Sequence, residues 1–277
     1  MNTLVSTPAP HSTGRAHRLA GVPRELLARQ RTLTVFAAVL LVLLLPATLA
    51  WGLDERLLRG VNVWVKPMKF AVSIAVLALT TAWFIGHLSP AQRHSRGVRW
   101  VVALIVGAGS FELAYIALQA GLGEGSHYNV AGTFHAVMYP LMGLGALLLT
   151  ASQPLLAWQL YRHPDPALPP AYRASVLLGL GLTFLLGAGI GGLLSAVQPP
   201  DGSGLPLVGW SLAGGDLRPA HFFGVHAQQL LPLAGLALAR WVPRQGRRAA
   251  MLLAALYTLG CIGLVVQALD GVALAGY

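Results

Sequence analysis

The sequence predicts an all-α integral membrane protein with seven transmembrane helices, a cytoplasmic N-terminus and an extracytoplasmic C-terminus. Three observations predict this class. Of the 277 residues, 55% are hydrophobic and only 10% are charged, whereas ordinary soluble domains carry about 25% charged residues. Apolar runs of about 20 residues, long enough to cross a bilayer, recur along the chain. The Lys and Arg residues gather in alternate loops, as the positive-inside rule requires.

The apolar runs define the predicted helices. They cover 33–52, 67–88, 99–121, 131–155, 174–197, 220–241 and 249–272. None alternates apolar and polar residues with period two, so each is a helix that satisfies its own backbone in lipid. Residues 33–277 then form one transmembrane domain in the cell membrane. Residues 1–32 form a basic, flexible cytoplasmic tail with a short helix at 24–31 on the membrane face.

The charges give the orientation. With the N-terminus inside, the inner side holds 14 of the 19 cations: Arg15, Arg18, Arg24, Arg29, Arg31, Arg93, Arg96, Arg99, Arg162, Arg173, Arg240, Arg244, Arg247 and Arg248. Of the acids, only Glu25 and Asp165 are predicted on the inner side. The net charge of +10 is spread between apolar runs without forming a basic face, so no nucleic-acid role is predicted. The lone Cys261 excludes a disulfide framework.

The polar residues of five helices and two loops fall in the outer half of this topology. Glu112, Tyr115 and Gln119 share one helix face, at spacings of three and seven. The predicted set comprises Lys66, Lys69, Glu112, Tyr115, Gln119, His127, Asn129, His135, Tyr139, Asp216, Arg218, His221, His226, Gln228, Gln229, Gln267 and Asp270. The inner half is expected to be nearly bare. Because ionisable residues in a membrane mark functional sites, we expect a polar cavity that opens to the outside.

Lys66 and Lys69 stand out because they are the only lysines, against 17 arginines. A lysine ammonium is a compact charge, unlike the guanidinium fork. Snorkelling to the headgroups is one interpretation of both residues. For Lys69, which lies deeper, we favour an inward partner such as Glu112 or an anionic ligand.

The histidines favour a haem- or metal-binding membrane redox protein, and haem is the first interpretation. His135 with His221 or His226 would supply two axial ligands of a haem b iron from different helices. Lys66, Lys69 or Arg218 could pair with the propionates. The glycines at 179–192 would admit a flat macrocycle, or would simply let helices pack closely. A quinone site on the same residues is a variant.

A bare metal is the second interpretation. Glu112, His135, His221 and His226 could hold a transition metal, and a membrane hydrolase would use metal-bound water with Glu112 as base. His221 and His226 lie five residues apart, about 140° around a helix, so they do not form a simple chelating pair.

The third interpretation needs no cofactor. A cavity lined by Lys, Arg, His, Glu and Gln could receive a small polar or anionic solute, as in a transporter or receptor. The bare inner half argues against a complete transport path. The polar cluster could also only join helices or dock a partner subunit. The sequence leaves open the substrate, any reaction and its catalytic residues, and whether the protein forms a homo-oligomer.

Overall fold

In the computed structural model, residues 13–198, 204–205, 208–211 and 213–273 are described, with side chains from residue 21 onward. This part is almost entirely helical. Its elements are α1 (Thr13–Arg29), α2 (Arg31–Val42), α3 (Leu44–Leu53), β1 (Leu57–Leu58), β2 (Val61–Asn62), α4 (Val65–Ile85), a 3-10 turn (Gln92–His94), α5 (Arg96–Leu122), α6 (Gly132–Arg162), α7 (Pro170–Ala196), α8 (Arg218–Val225), α9 (Ala227–Trp241) and α10 (Gly246–Leu269).

Six of these helical segments are long and apolar enough to cross a membrane. They are α2 with α3 as one segment (Arg31–Leu53), α4, α5, α6, α7 and α10. The predicted span at 220–241 is instead a pair, α8 and α9, bent by 56° at His226. The pair raises the count to seven if it forms one span. The all-α, multi-pass membrane character that the sequence predicts is therefore confirmed.

The N-terminal segment differs from the flexible tail expected at 1–32. Helix α1 covers Thr13–Arg29, and residues 1–12 lie outside the described residues. Arg29 ties the end of α1 to α4. Its guanidinium donates to Glu25 Oε1 at 2.6 Å and to the Trp83 carbonyl at 2.8 Å, and it lies 3.9 Å from the centre of the Trp83 ring.

Helix α4 packs through a stripe of small residues. Ala71, Ala75, Ala78 and Ala82 are buried in one cluster with residues of α2, α5, α6 and α7. Small side chains let helices approach closely where lipid supplies no hydrophobic drive for association. Alanines at this spacing therefore place α4 inside the bundle.

Helix α7 is the second interior helix, and the neighbouring helices α8 and α9 pack against its glycines. A Cβ at Gly179 would stand 2.9 Å from the Ala227 carbonyl of α9, and one at Gly191 would stand 3.1 Å from the His221 ring of α8. The same addition at Gly187 would meet Val225 of α8 at 3.0 Å. The space at these three glycines is thus filled by helices rather than open to a macrocycle.

The loops define two ends of the bundle. The hairpin end comprises residues 54–64, 123–131 and the described part of 204–217, and it contains the β1–β2 hairpin. The arginine end comprises residues 86–99, 162–173 and 240–248. These two names are used below without reference to either side of the membrane.

Gly179→Ala should lower the free energy of unfolding by about 1–3 kcal/mol, because the new methyl group overpacks against the backbone of α9. Gly181→Ala is the matched control. It meets nothing within 4 Å and should be neutral or stabilising by up to about 1 kcal/mol through helix propensity. Unfolding of the two purified variants in detergent measures the difference; equal effects would contradict this packing.

Candidate functional site

Lys66 and His127 meet at the hairpin end. Lys66 Nζ lies 3.1 Å from His127 Nδ1, and Ser126 Oγ lies 3.2 Å from the same nitrogen. Since an ammonium only donates, Nδ1 acts as the acceptor and the ring proton sits on Nε2. Burial first, and then the charge of Lys66, lower the pKa of His127 from 6.5 to about 3. The imidazole is therefore held neutral beside a cation.

Glu112 lies deeper, on α5. It is 1% exposed, and neither carboxylate oxygen has a hydrogen bond of normal geometry among the described residues, although the backbone amide of Ala146 lies close to it. Its charge interacts with that of Lys66. The carboxylate lies against Gly145 of α6, where a Cβ would stand 2.5 Å from Oε1. Gln119, on the same face of α5, is fully buried, and both ends of its amide also lack partners.

His135 has partners other than the expected ones. Its Nδ1 lies 2.9 Å from the Ala131 carbonyl, and its Nε2 lies 2.9 Å from Glu124 of the preceding loop. Nδ1 is therefore held by the backbone, and Nε2 faces a carboxylate within the hairpin end. The predicted ligand role at Nε2 would require this residue to leave Glu124 only, because a metal-bound histidine can keep its other ring nitrogen on a backbone carbonyl.

His221 and His226 lie elsewhere, against α7 and within the bent pair. His221 Nδ1 is buried without a hydrogen-bond partner among the described residues. His226 Nδ1 lies 3.3 Å from Gln229 Oε1, and its ring lies 4.3 Å from that of Phe222.

The helix register separates His135 from His221 in depth. Thr150 of α6 lies beside Gly187 of α7, and Gly191 lies beside His221. Because α6 and α7 run antiparallel, Gly191 is level with about residue 146 of α6. His135 is 11 residues away, or about 16 Å at 1.5 Å per residue. The two histidines do not share one iron in this arrangement.

The described residues contain no group of three or more His, Cys, Asp or Glu side chains placed to hold a metal ion. Glu112, His135, His221 and His226 are therefore not brought together as a ligand set. The haem, quinone and metal interpretations stay predictions, because the four residues do not form a common site in this arrangement.

The loop before α8 closes the hairpin end. Lys69 Nζ donates to the Val208 carbonyl at 3.0 Å. Arg218 forms a bidentate pair with Asp216, with contacts of 2.7 and 2.8 Å. Burial alone would raise the pKa of Asp216, but hydrogen bonds from Arg218 and the Ser211 amide outweigh it and lower the pKa. Lys69 thus has a backbone partner instead of the expected Glu112.

The remaining predicted residues serve mostly as local anchors. Tyr139 donates to the Ser195 carbonyl at 2.7 Å and so joins α6 to α7. Asn129 accepts from the Ala131 amide at 3.1 Å. Tyr115 is buried beside Phe134. Gln267 is half-buried and donates to the Val272 carbonyl, and Asp270 is exposed at the end of α10.

A second polar layer lies nearer the arginine end, where the sequence predicts a bare interior. We call it the deep layer: Thr80, Thr81, Ser152, Gln153, Thr183, Gln228 and Gln229. The side-chain Nε2 of Gln229 donates to Thr80 Oγ1 at 3.2 Å. The backbone N–H of Gln228 donates to Thr183 Oγ1 at 2.9 Å. Thr150 of α6 is level with Gly187 of α7. Because the two helices run antiparallel, Gln153, three residues further along α6, lies near the level of Thr183 on α7.

The deep layer also contains unpaired groups. Thr81 Oγ1, Gln153 Oε1 and Gln228 Oε1 are buried without a hydrogen-bond partner among the described residues. Gln153 is eight residues along α6 from Gly145, where Glu112 lies, so the layer is about 12 Å deeper than Glu112. The expectation of a nearly bare inner half was therefore wrong.

The bend between α8 and α9 lies at the same depth. Thr183 Oγ1 lies 3.5 Å from the Val225 carbonyl on one side of His226 and accepts from the Gln228 amide on the other. A break inside a membrane is tolerated where protein side chains satisfy the released backbone groups. Pro232, which the sequence pointed to as a kink, lies inside α9.

The low pKa of His127 should lower the stability by about 2 kcal/mol as the pH drops from about 7 to 5. The unfolded chain takes up a proton near pH 6.5, whereas folded His127 does so only near pH 3. His127→Asn should remove this part of the slope and leave the part due to His87, whose pKa burial lowers to about 4. Exposed His94→Asn should keep the whole slope. Thermal unfolding in detergent measures both; a wild-type slope in His127→Asn would contradict the assignment.

Known proteins supply no assignment for these residues. No known protein family, curated protein or solved structure matches the chain. What these residues do chemically is therefore argued from their positions and contacts.

Proposed function

We propose that the protein binds a small anionic or polar solute at the hairpin end and passes it along the bundle interior, as a transporter does. One observation carries the proposal: unpaired polar groups lie inside the bundle at two depths, and the deeper layer coincides with a broken helix. Discontinuous helices beside a binding site are typical of transporters. A receptor that only binds the solute is the narrower form of the same proposal.

The upper part of the path begins at Glu112, Gln119 and Lys66. A buried carboxylate and amide without partners are costly in a membrane unless water or a ligand reaches them. Asp216 is already neutralised by Arg218. Lys66 and Lys69 then outnumber Glu112, so the unbalanced charge favours an anion.

The deep layer extends the path. The bare inner half was the main argument from sequence against transport, and Thr81, Gln153 and Gln228 remove it. These groups are neutral, so they could bind a solute by hydrogen bonds without holding it as strongly as an ion pair. A pathway needs such intermediate sites to release its cargo.

The proposal includes seven spans in the cell membrane, with α8 and α9 as one broken span and the N-terminus in the cytoplasm. The described arginine end contains Arg93, Arg96 and Arg99 beside the first turn of α5, and it collects further arginines from α6, α7 and the α9–α10 connection. Positive residues in short loops stay cytoplasmic. The hairpin end then faces outward.

Labelling of single cysteines in intact cells tests this orientation. A cysteine at position 57, in the exposed part of the hairpin, should react with a membrane-impermeant thiol reagent. A cysteine at exposed Arg244 should react only after the membrane is opened. Cys261→Ala serves as background, and the reverse pattern would overturn the orientation.

A redox cofactor is the second candidate, favoured by His221, whose buried Nδ1 has no described hydrogen-bond partner. Such a nitrogen could bind a metal ion as a single protein ligand, whereas the His221 ring packs against Gly191 and leaves no room there for a haem. Metal analysis of the purified protein tests this. A stoichiometric metal that is lost in His221→Gln would support it, and its absence after expression with ample metal would remove it.

Solute binding is tested by thermal shift in detergent with acetate, succinate, phosphate and sulfate, and with glycerol and tetramethylammonium as neutral and cationic probes. At 100 times its Kd, a bound solute stabilises the protein by about 2.7 kcal/mol. We expect an anion to raise the unfolding midpoint, and Lys66→Gln to weaken that shift.

Arg56→Gln is the matched control, because Arg56 is an exposed cation at the same end, paired with Asp54. It should leave the solute-induced shift intact. If no anion in the panel stabilises the protein, or if both variants lose the shift equally, the proposed site is wrong.

A further inference from the structure

We infer that a groove at the arginine end binds the headgroup and one acyl chain of an anionic phospholipid. The groove has a volume of about 650 Å³ and lies between the α1–α2 junction, the loop before α5 and the first turns of α5. This volume falls within the range of about 300–1,000 Å³ typical of small-ligand sites. The groove is separate from Glu112, His127 and the deep layer, so the inference does not rest on the proposed function.

The mouth of the groove is strongly basic. Arg29, Arg31, Arg93 and Arg99 line it together with His94, and none of the described lining residues is acidic. Arginine is suited to phosphate because its planar fork donates two parallel hydrogen bonds. The charge at the mouth therefore complements a lipid phosphate.

The four guanidinium groups divide into fixed and available ones. Arg29 is engaged with Glu25 and the Trp83 carbonyl. Arg93 donates to the carbonyls of Leu88 and Gly86, which holds it at the mouth. Arg31 and Arg99 are exposed, and within the described part of the chain they form no hydrogen bond or ion pair. These two are free to take up a phosphate.

The floor of the groove is apolar and follows α5 away from the mouth. Val98, Val102 and Val106 succeed one another at intervals of four residues and line it. They span eight residues, or about 12 Å along the helix. Exposed Ala103 leaves this side of the groove open. A free phosphate would use only the mouth, whereas a lipid would also fill the floor.

The position of the groove suits a lipid. Trp100 of α5 is 65% exposed beside Arg99, and tryptophan is enriched at the membrane–water interface. The mouth then lies at headgroup level and the valine floor in the hydrocarbon. Basic pockets between membrane helices bind anionic headgroups in this way.

The test measures lipid binding to the full chain purified in detergent, by native mass spectrometry. Dioleoyl phosphatidylglycerol should bind at least roughly tenfold more tightly than dioleoyl phosphatidylcholine. The double variant Arg31→Gln/Arg99→Gln should weaken phosphatidylglycerol binding by roughly 30-fold. An excess of inorganic phosphate should not displace the lipid, because it does not occupy the apolar floor.

Two further variants separate the groove from charge in general. Arg247→Gln/Arg248→Gln removes two exposed charges from the same end, outside the groove, and should leave binding unchanged. Ala103→Phe keeps every charge but fills the floor, and it should weaken binding. Equal binding of the two lipids, unchanged binding in the Arg31/Arg99 variant, an equal loss in the Arg247/Arg248 control, or displacement by phosphate would each overturn the inference.

Discussion

The broken pair α8–α9 depends on the hydroxyl of Thr183. A helix interrupted inside a membrane releases backbone groups that lipid cannot satisfy. Thr183, on α7, lies against the Val225 carbonyl and accepts from the Gln228 amide, one on each side of His226. Gly179 gives α9 the room to come this close. On the other side, the hydroxyl of Tyr257 on α10 donates to the Phe223 carbonyl, just before the break. The position of the break, and with it the depth at which α9 begins, is therefore held by α7 together with α10.

That depth decides which side chains meet. Because α9 begins level with Thr183, Gln229 reaches Thr80 across the bundle, and Gln228 is buried. The same level receives Gln153 from α6. Glu112 lies about 12 Å nearer the hairpin end, where the register of α5 against Gly145 places it. The two polar layers thus follow from the register in which four helices pack. Their unpaired groups are available to hydrogen-bond a solute or water.

Apolar run length is a local property, and for this reason the helices could be predicted from the sequence. The buried position of Glu112 followed from the face that it shares with Gln119. Gln228 and Gln229 of the deep layer were predicted as site residues, although in the outer half. Thr80 and Gln153 were missed because they are neutral and isolated within apolar runs, with no periodic signal. The predicted pairing of His135 with His221 took no account of the difference of about 16 Å in depth between them. A sequence gives the height of a residue along its own helix but not the residue that lies opposite it. Only the last turns of α1 were expected, as the short helix at 24–31; the contact of Arg29 with the Trp83 carbonyl, 54 residues away, could not be read from the sequence.

The central claim is that the buried polar groups line a path that solute and water can enter. Cysteine accessibility tests it most directly, because the single native Cys261 is removable. In a Cys261→Ala background, Thr81→Cys and Gln153→Cys should react with a small water-soluble methanethiosulfonate. Leu185→Cys, on α7 near the same depth and 64% exposed toward lipid, should not. If both buried positions stay as unreactive as Leu185→Cys from either side of the membrane, the deep layer is sealed core and the path does not exist.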